Sequence, residues 1–277
     1  MRFGLHRMLE KNKLNKRLIS AWQLIIARLA QLWRFMQSSL PNRCLLCQQS
    51  IAQFGYQQLF PQTLLKGVCQ PCLAANLYQA EACLGCGRLM TRLMMYCGQC
   101  QQTQPMVVIA PCSYHDGLAP IITAIKYQQQ FAGLLALMQQ LLRRIQQLQR
   151  LNIIRLPQAL IPVPLHVNRQ RQRGFNQAGL IAHWLGQQLS ITVLENIIIK
   201  TVDTPPQAQL SGMQRRKLTQ LAYRLVADVT YQRVAIIDDV VTSGATVEAI
   251  ETLLLPQGVH CQAWALARAE APKLRSR

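Results

Sequence analysis

Acidic side chains are scarce in this 277-residue chain: there are 11 Asp plus Glu, and charged residues of both signs make up only 15%. The 30 Lys plus Arg are therefore left unbalanced, with a formal net charge of +19. Such an excess favours partners that carry phosphate, whether nucleic acid, nucleotides or anionic lipid; a basic surface that binds nothing in particular would leave the same balance. Aromatics are also few, at 6%, which argues against a dedicated groove of stacked bases but leaves backbone binding open. No stretch offers the roughly 20 apolar residues of a spanning helix, and no small-residue cleavage site marks a secretory signal. A cytoplasmic protein is expected. Half the residues are apolar, and the length has room for about two domains of roughly 100–200 residues each.

Cysteine is plentiful and ordered. Eight of the ten fall in four Cys-x-x-Cys pairs: Cys44/Cys47, Cys69/Cys72, Cys83/Cys86 and Cys97/Cys100. A two-residue gap lets both thiolates of a pair point at one metal, and two pairs complete a tetrahedral site. Two structural zinc ions follow. Redox motifs or disulfides do not explain a fourfold repeat in a chain without a secretion signal. Spacing leaves the pairing open, since a sequential and a crossed arrangement both satisfy the count. Cys112 and Cys261 stand alone and read as buried small hydrophobes. His115, His166, His183 and His260 lie outside the pairs and read as packing or surface residues.

Residues 1–40 form a basic, amphipathic extension. Trp22, Ile25, Ile26, Leu29, Leu32, Trp33 and Met36 recur at helical spacing behind a basic run from Lys11 to Arg17. This suits a helix lying on a membrane surface, peripheral at the inner membrane, or one docked on the protein itself; Met36 as the true start is a third reading. Residues 41–104, rich in Cys, Gln and Gly, form a metal-held domain.

Residues 105–277 have a different texture. MVVIAPCSY reads as a strand, followed by helices through Ile121–Lys126 and over 131–151. ALIPVP is a strand, 177–188 a helix, VLENIIIK a strand and TPPQ a break. A helical stretch near 212–222 leads to the strand RVAIID, a helix from Thr246 to about Leu255, and a last strand in VHCQAWALA. Strands alternating with helices predict an α/β fold, a mostly parallel sheet flanked by helices, with ligands beyond the carboxyl ends of the strands. VAIIDDVVTSGAT, residues 234–246, ends a buried strand there. Asp238 and Asp239 can accept hydrogen bonds from hydroxyls. Thr242, Ser243, Gly244, Ala245 and Thr246 lead into a helix N-terminus suited to an anion. A sugar phosphate has both features. In IPVPLHVNRQRQRGFNQA, Arg169, Arg171 and Arg173 alternate, so an extended loop would point all three the same way, towards phosphate oxygens.

VAIIDDVVTSGAT resembles the phosphoribosyl pyrophosphate (PRPP) motif of type I phosphoribosyltransferases. The resemblance implies that Asp238 and Asp239 bind the ribose hydroxyls and that Thr242–Thr246 bind the 5′-phosphate. With RQRGFNQ, Lys126 and Tyr127, DTPPQAQLS and the cysteine pairs, residues 41–268 are similar to the ComF family of competence and DNA-utilization proteins. The pattern departs at Leu218, where the family has Asn, in a segment with Arg215, Arg216 and Lys217 that would form a flap. The resemblance implies a double zinc ribbon before a phosphoribosyltransferase-like domain, PRPP bound with Mg²⁺, single-stranded DNA contact, and a helicase-like ATPase as partner. In its catalytic reading Asp238, Asp239, Arg169 and Arg173 act on PRPP, with Lys126 and the loop binding it, and ribose 5-phosphate passes to a nitrogen acceptor.

Overall fold

The computed structural model describes residues 43–51, 67–128, 131–203 and 221–270. The extension before residue 43, the flap at 215–218, most of DTPPQAQLS and nearly all of the helix expected near 212–222 lie outside them. Residues 43–277 group as one compact unit.

The cysteine-rich part carries helix α1 (Gln70–Asn76), a small antiparallel pair β1 (Glu81–Ala82) and β2 (Leu89–Met90), and helix α2 (Gly98–Thr103). Its elements are short, as expected where metal takes over from a core. The remainder builds β3 (Val107–Ile109), a single π-helical turn at Tyr114–Leu118, α3 (Ala119–Gln128), α4 (Leu134–Arg150), β4 (Ala159–Pro162), α5 (Val167–Arg173), α6 (Gln177–Leu189) and β5 (Thr192–Val193). An antiparallel pair follows, β6 (Ile198–Lys200) with β7 (Tyr223–Leu225), and then β8 (Arg233–Val241), α7 (Ala245–Leu254) and β9 (His260–Arg268).

Five strands form one sheet in the order β3-β9-β8-β4-β5, and every pairing in it is parallel. Both faces are buried, which is why β8 reads as a continuous apolar run. Ala235, Ile237, Trp264 and Leu266 face one core with Leu137, Leu141, Ile145 and Leu148 of α4 and Ile181 and Leu185 of α6. Val234, Ile236, Ala263 and Ala265 face the other with Val247, Ile250 and Leu254 of α7 and Ile198 and Tyr223 of the β6–β7 pair. Each fully buried Leu or Ile contributes about 1.5–3 kcal/mol over an exposed one, so the two-sided apolar pattern fixes the sheet's register.

Three expectations need correction. The stretch expected as one strand over 193–200 is two, because Asn196 takes a left-handed φ of 59° and turns the chain between β5 and β6. The strand expected over 106–114 is confined to Val107–Ile109, since Tyr114–Leu118 winds into the π turn. The RQRQR segment is a helix, not an extended loop. His166 caps α5 by accepting from the Asn168 N–H, Gly174 ends it at φ 75°, and the Arg and Gln between them are good helix formers. Alternate residues of a helix point to different sides, so Arg169 and Arg173, four apart, share a face that Arg171 does not.

Candidate functional site

The chain's crossovers select one edge of the sheet. From β4 the chain passes through α5 and α6 outward to β5; from β8 it passes through α7 the opposite way to β9. Neighbouring strands whose connections diverge open a crevice at their carboxyl ends, where ligands of open α/β sheets bind. Asp238 and Asp239 lie in the last turns of β8, and Val163–Arg173 follows β4, so the acids and the arginine helix flank this crevice.

β8 runs past both acids to Val241, and the loop Thr242–Gly244 carries the chain into α7. Gly244 has φ 80°, a left-handed conformation that L side chains adopt at a cost; a Cβ there would also lie 3.2 Å from Glu248 Oε1. Ser243 Oγ accepts from the Ala245 N–H at 3.4 Å, and Gly244, as N-cap, offers no side chain to the first turn. Backbone N–H groups of that turn thus point outward, in a region of partial positive charge.

The acids are not alone. Asp238 Oδ1 accepts from the Asp239 N–H at 2.8 Å, and Lys126 Nζ, from the end of α3, lies 2.8 Å from Asp239 Oδ2. Burial, then repulsion from Asp239, pushes the Asp238 carboxyl up to about 8. Burial opposes the charge on Lys126, but Asp239 and then Asp238 outweigh it and hold the amine above its ordinary value. The two arginines sharing a face of α5 reach opposite flanks. Burial, and then repulsion from Arg169, holds the Lys200 amine below its usual value; Arg169 also bonds Asp203 Oδ1 at 3.5 Å. Arg173 lies over the Tyr127 ring at 5.4 Å from its centroid.

Two neighbours of this edge, Lys200 and Tyr223, were missed in the sequence, and Asp203 entered only as the first residue of DTPPQAQLS, with no site role. Asp203 accepts from Asn168 Nδ2 at 3.1 Å and pairs with Arg169 at 3.5 Å. Tyr223, raised to about 12 by burial and by Asp238, lies across from Thr246. Lys200 and Tyr223 come from β6 and β7, whose sequences carry no motif; only the fold brings them here.

The cysteines fall into two sets, Cys44, Cys47, Cys69, Cys72 and Cys83, Cys86, Cys97, Cys100, the ligand atoms of each within 4.8 Å of one another. The pairing is therefore sequential. Four thiolates about 2.3 Å from a central zinc stand roughly 3.8 Å apart; Cys47 and Cys69 Sγ are 3.8 Å apart, and Cys86 and Cys97 Sγ 3.7 Å. Burial resists ionisation of Cys44 and Cys97, but neighbouring backbone N–H groups draw these thiols down, to about 6 and about 7. Cys72 goes the other way, to about 12, through its bond to Cys69 and burial; a central cation is what lets four such thiols ionise together. Both sets fit structural zinc. Of the lone cysteines, Cys112 is fully buried and donates to the Leu266 carbonyl at 3.0 Å, while Cys261 is half-buried. His183 is exposed beside Glu195.

The second cysteine set is tied to the sheet. The Leu84 carbonyl accepts the Val108 N–H at 2.8 Å, and the Arg268 guanidinium donates to the carbonyls of Leu84 at 3.2 Å and Gly85 at 2.5 Å. The buried Glu270 carboxylate accepts from Ser113 at 2.7 Å and from the Tyr78 hydroxyl. A cleft of about 360 Å³ nearby is lined by Tyr78, Glu81, Gln140 and Arg144. Arg144 is already held by Glu81 at 2.5 Å, and none of the lining residues belongs to the β4–β8 edge.

A parallel α/β sheet flanked by helices, with an acid pair and a glycine turn at the carboxyl end of β8 and two four-cysteine clusters before it, defines a phosphoribosyltransferase-like fold preceded by clusters that fit a double zinc ribbon. The chain is 35% identical over 211 residues to competence protein F of Haemophilus influenzae, spanning 73% of this chain and 91% of that one. It is 30% identical over 233 residues to the DNA utilization protein YhgH of Escherichia coli, spanning 83% and 98%. The chain belongs to this ComF family of competence and DNA utilization proteins. No family model matches it. Among solved structures, the orotate phosphoribosyltransferase of Aeropyrum pernix aligns with 53% of this chain and 67% of its own at 18% identity, with a TM-score of 0.32. Among the described residues no helix is long and apolar enough to cross a membrane.

Proposed function

We propose that the crevice at the carboxyl ends of β4 and β8 binds PRPP, and that the protein uses this ligand while handling single-stranded DNA. The observation that carries the reading is the order of groups along β8 and α7: an acid pair, then a left-handed Gly244, then a helix first turn to which Gly244, as N-cap, offers no side chain. Such a sequence of groups suits ribose hydroxyls beside a phosphate. Thr242, Ser243, Gly244, Ala245 and Thr246 would hold the 5′-phosphate, and Asp238 and Asp239 the ribose hydroxyls. Lys126, Arg169 and Arg173 supply the positive charge for the pyrophosphate. Mg²⁺ carried on the pyrophosphate would be held through the carboxylate oxygens of the acid pair, oxygen donors of the kind it accepts, and would neutralise the charge.

Turnover is a second reading, favoured by the charged Lys126 beside Asp239. A nitrogen nucleophile would form a bond to C1 of the ribose as the C1–oxygen bond breaks, and pyrophosphate would leave with the electron pair, its charge met by these cations. The family supports the DNA half: the basic face of α5 suits a phosphate backbone, with a helicase-like uptake ATPase as partner. In the same reading the protein is cytoplasmic, and residues 1–40 rest on the inner membrane surface.

The test is calorimetric titration of the zinc-loaded chain with PRPP and Mg²⁺, in wild type and in Asp238→Ala plus Asp239→Ala. Binding by wild type alone is the expected result, and no binding by a folded, zinc-loaded wild type would refute the ligand. Pyrophosphate release with a nucleobase present, lost in the double variant, would establish turnover.

A further inference from the structure

Among the described residues exposed aromatic rings are few, and they are not scattered. Among the described residues Tyr127, 72% exposed, and Phe131, 40% exposed, are the two aromatics that face solvent. Tyr127 directly follows Lys126, the residue paired with Asp239. The Arg173 guanidinium covers the Tyr127 ring at 5.4 Å, and Phe131 packs edge-on against Phe175 with centroids 4.7 Å apart. Arg173 ends α5 and Phe175 lies just past Gly174, so the ends of α3 and α5 carry an arginine plane over one ring and, just beyond, an edge-on pair of rings, with Lys126 linking this end to the acid pair.

An exposed ring that contributes little to the core has no packing reason to lie there. Burying it against its neighbours would have been worth about 1.5–3 kcal/mol. Stacking a flat, partly apolar ligand is the use to which such a ring is suited, and an arginine on its other side strengthens the hold by cation–π attraction. The neighbouring cations Lys126 and Arg173 set the charge of that ligand: it must be flat and also carry phosphate.

We infer that Tyr127, backed by Arg173 and flanked by Phe131 and Phe175, is a stacking platform for a base of single-stranded DNA, next to the phosphoribosyl crevice. The inference rests on the DNA half of the proposed function and gives it a place. Two exposed rings hold one or two bases, not a long tract, in keeping with a chain poor in aromatics. The phosphate backbone of the same strand runs along the basic face of α5, and sequence is not read, because every base has a flat face to offer.

The test is fluorescence anisotropy of the zinc-loaded full chain with a labelled oligothymidylate and with an abasic strand of equal length. Tyr127→Ala is expected to weaken the oligothymidylate by about 5- to 100-fold and to leave the abasic strand unchanged. Tyr127→Phe, which keeps the ring, is expected to stay within about two-fold of wild type on both. Equal effects of Tyr127→Ala on the two strands, or none on either while wild type binds, would overturn the platform and leave the DNA contact standing. A wild type that ignores oligothymidylate would overturn both, and PRPP titration of the same preparation would then decide the phosphoribosyl half separately.

Discussion

Replacing Lys126 with methionine removes a charge and keeps most of the side chain's bulk. The amine lies 2.8 Å from Asp239, with the two side chains 25% and 14% exposed, so the pair is largely shielded from water. At that distance, and with an effective dielectric constant near 20, the gross attraction is about 6 kcal/mol. Desolvating the two ions offsets several kcal/mol of it, which leaves a net coupling of about 1–3 kcal/mol. Near pH 7 the raised Asp238 keeps its proton, so the charge that Lys126→Met leaves without its cation is that of Asp239. Urea unfolding near pH 7 of wild type, Lys126→Met, Asp239→Asn and the double variant closes a mutant cycle. A coupling of about 1–3 kcal/mol is expected, with Asp239→Asn recovering part of what Lys126→Met loses. A coupling below about 0.5 kcal/mol is what exposed pairs give and would refute the view that Lys126 neutralises the acid pair before a ligand arrives.

Further outcomes follow from the same geometry. Elemental analysis should find two zinc ions per chain, and Cys97→Ser should leave about one, since a set with three thiolates binds far less tightly; one metal in the wild type would refute the second site. Gly244→Ala forces a Cβ into a left-handed conformation and should cost about 1–2 kcal/mol in urea unfolding, with a loss of PRPP affinity; unchanged stability would mean that the loop relaxes freely. Asp238, at 3.8 in its ordinary state and about 8 in the fold, retains a proton between those values that the unfolded chain has released. Stability should therefore fall as pH rises through that window, and Asp238→Asn should flatten the profile measured by urea unfolding; a stability that rises with pH there would contradict the assignment.

The strands buried on both faces were the most legible part of the chain. β8 and β9 appear as Val, Ala, Ile and Leu runs because each residue has a core on its own side, and the long stripe of α4 announces its single buried face. The acid pair and the Gly244 loop could be read because strand, acids and loop are contiguous. α5 could not, since none of its residues is buried. A helix without an apolar face has no period to detect, and the alternation of Arg and Gln imitated a strand. The cysteine pairing needed three dimensions, because either arrangement satisfies the same spacing. Lys200 and Tyr223 reach the edge from strands whose own sequences look ordinary, and Asp203 opens a motif that does not name its neighbours; their place at the edge arises from where β6 and β7 pack, a property of the fold as a whole.

Arg268 lies in β9 opposite Val241, the last residue of β8, and its guanidinium is rooted in the carbonyls between Cys83 and Cys86. Stripping metal from that set would release the far end of this arm, and the strand end that leads into the Thr242–Gly244 loop would lose its brace. The cysteines that hold Leu73 and Leu84 in the sheet's own core belong to the same fold as the crevice, so a starved cell would not shed a detachable accessory. It would lose the cover of the sheet and the shape of the ligand edge together, and the working fraction of this protein would follow the supply of zinc.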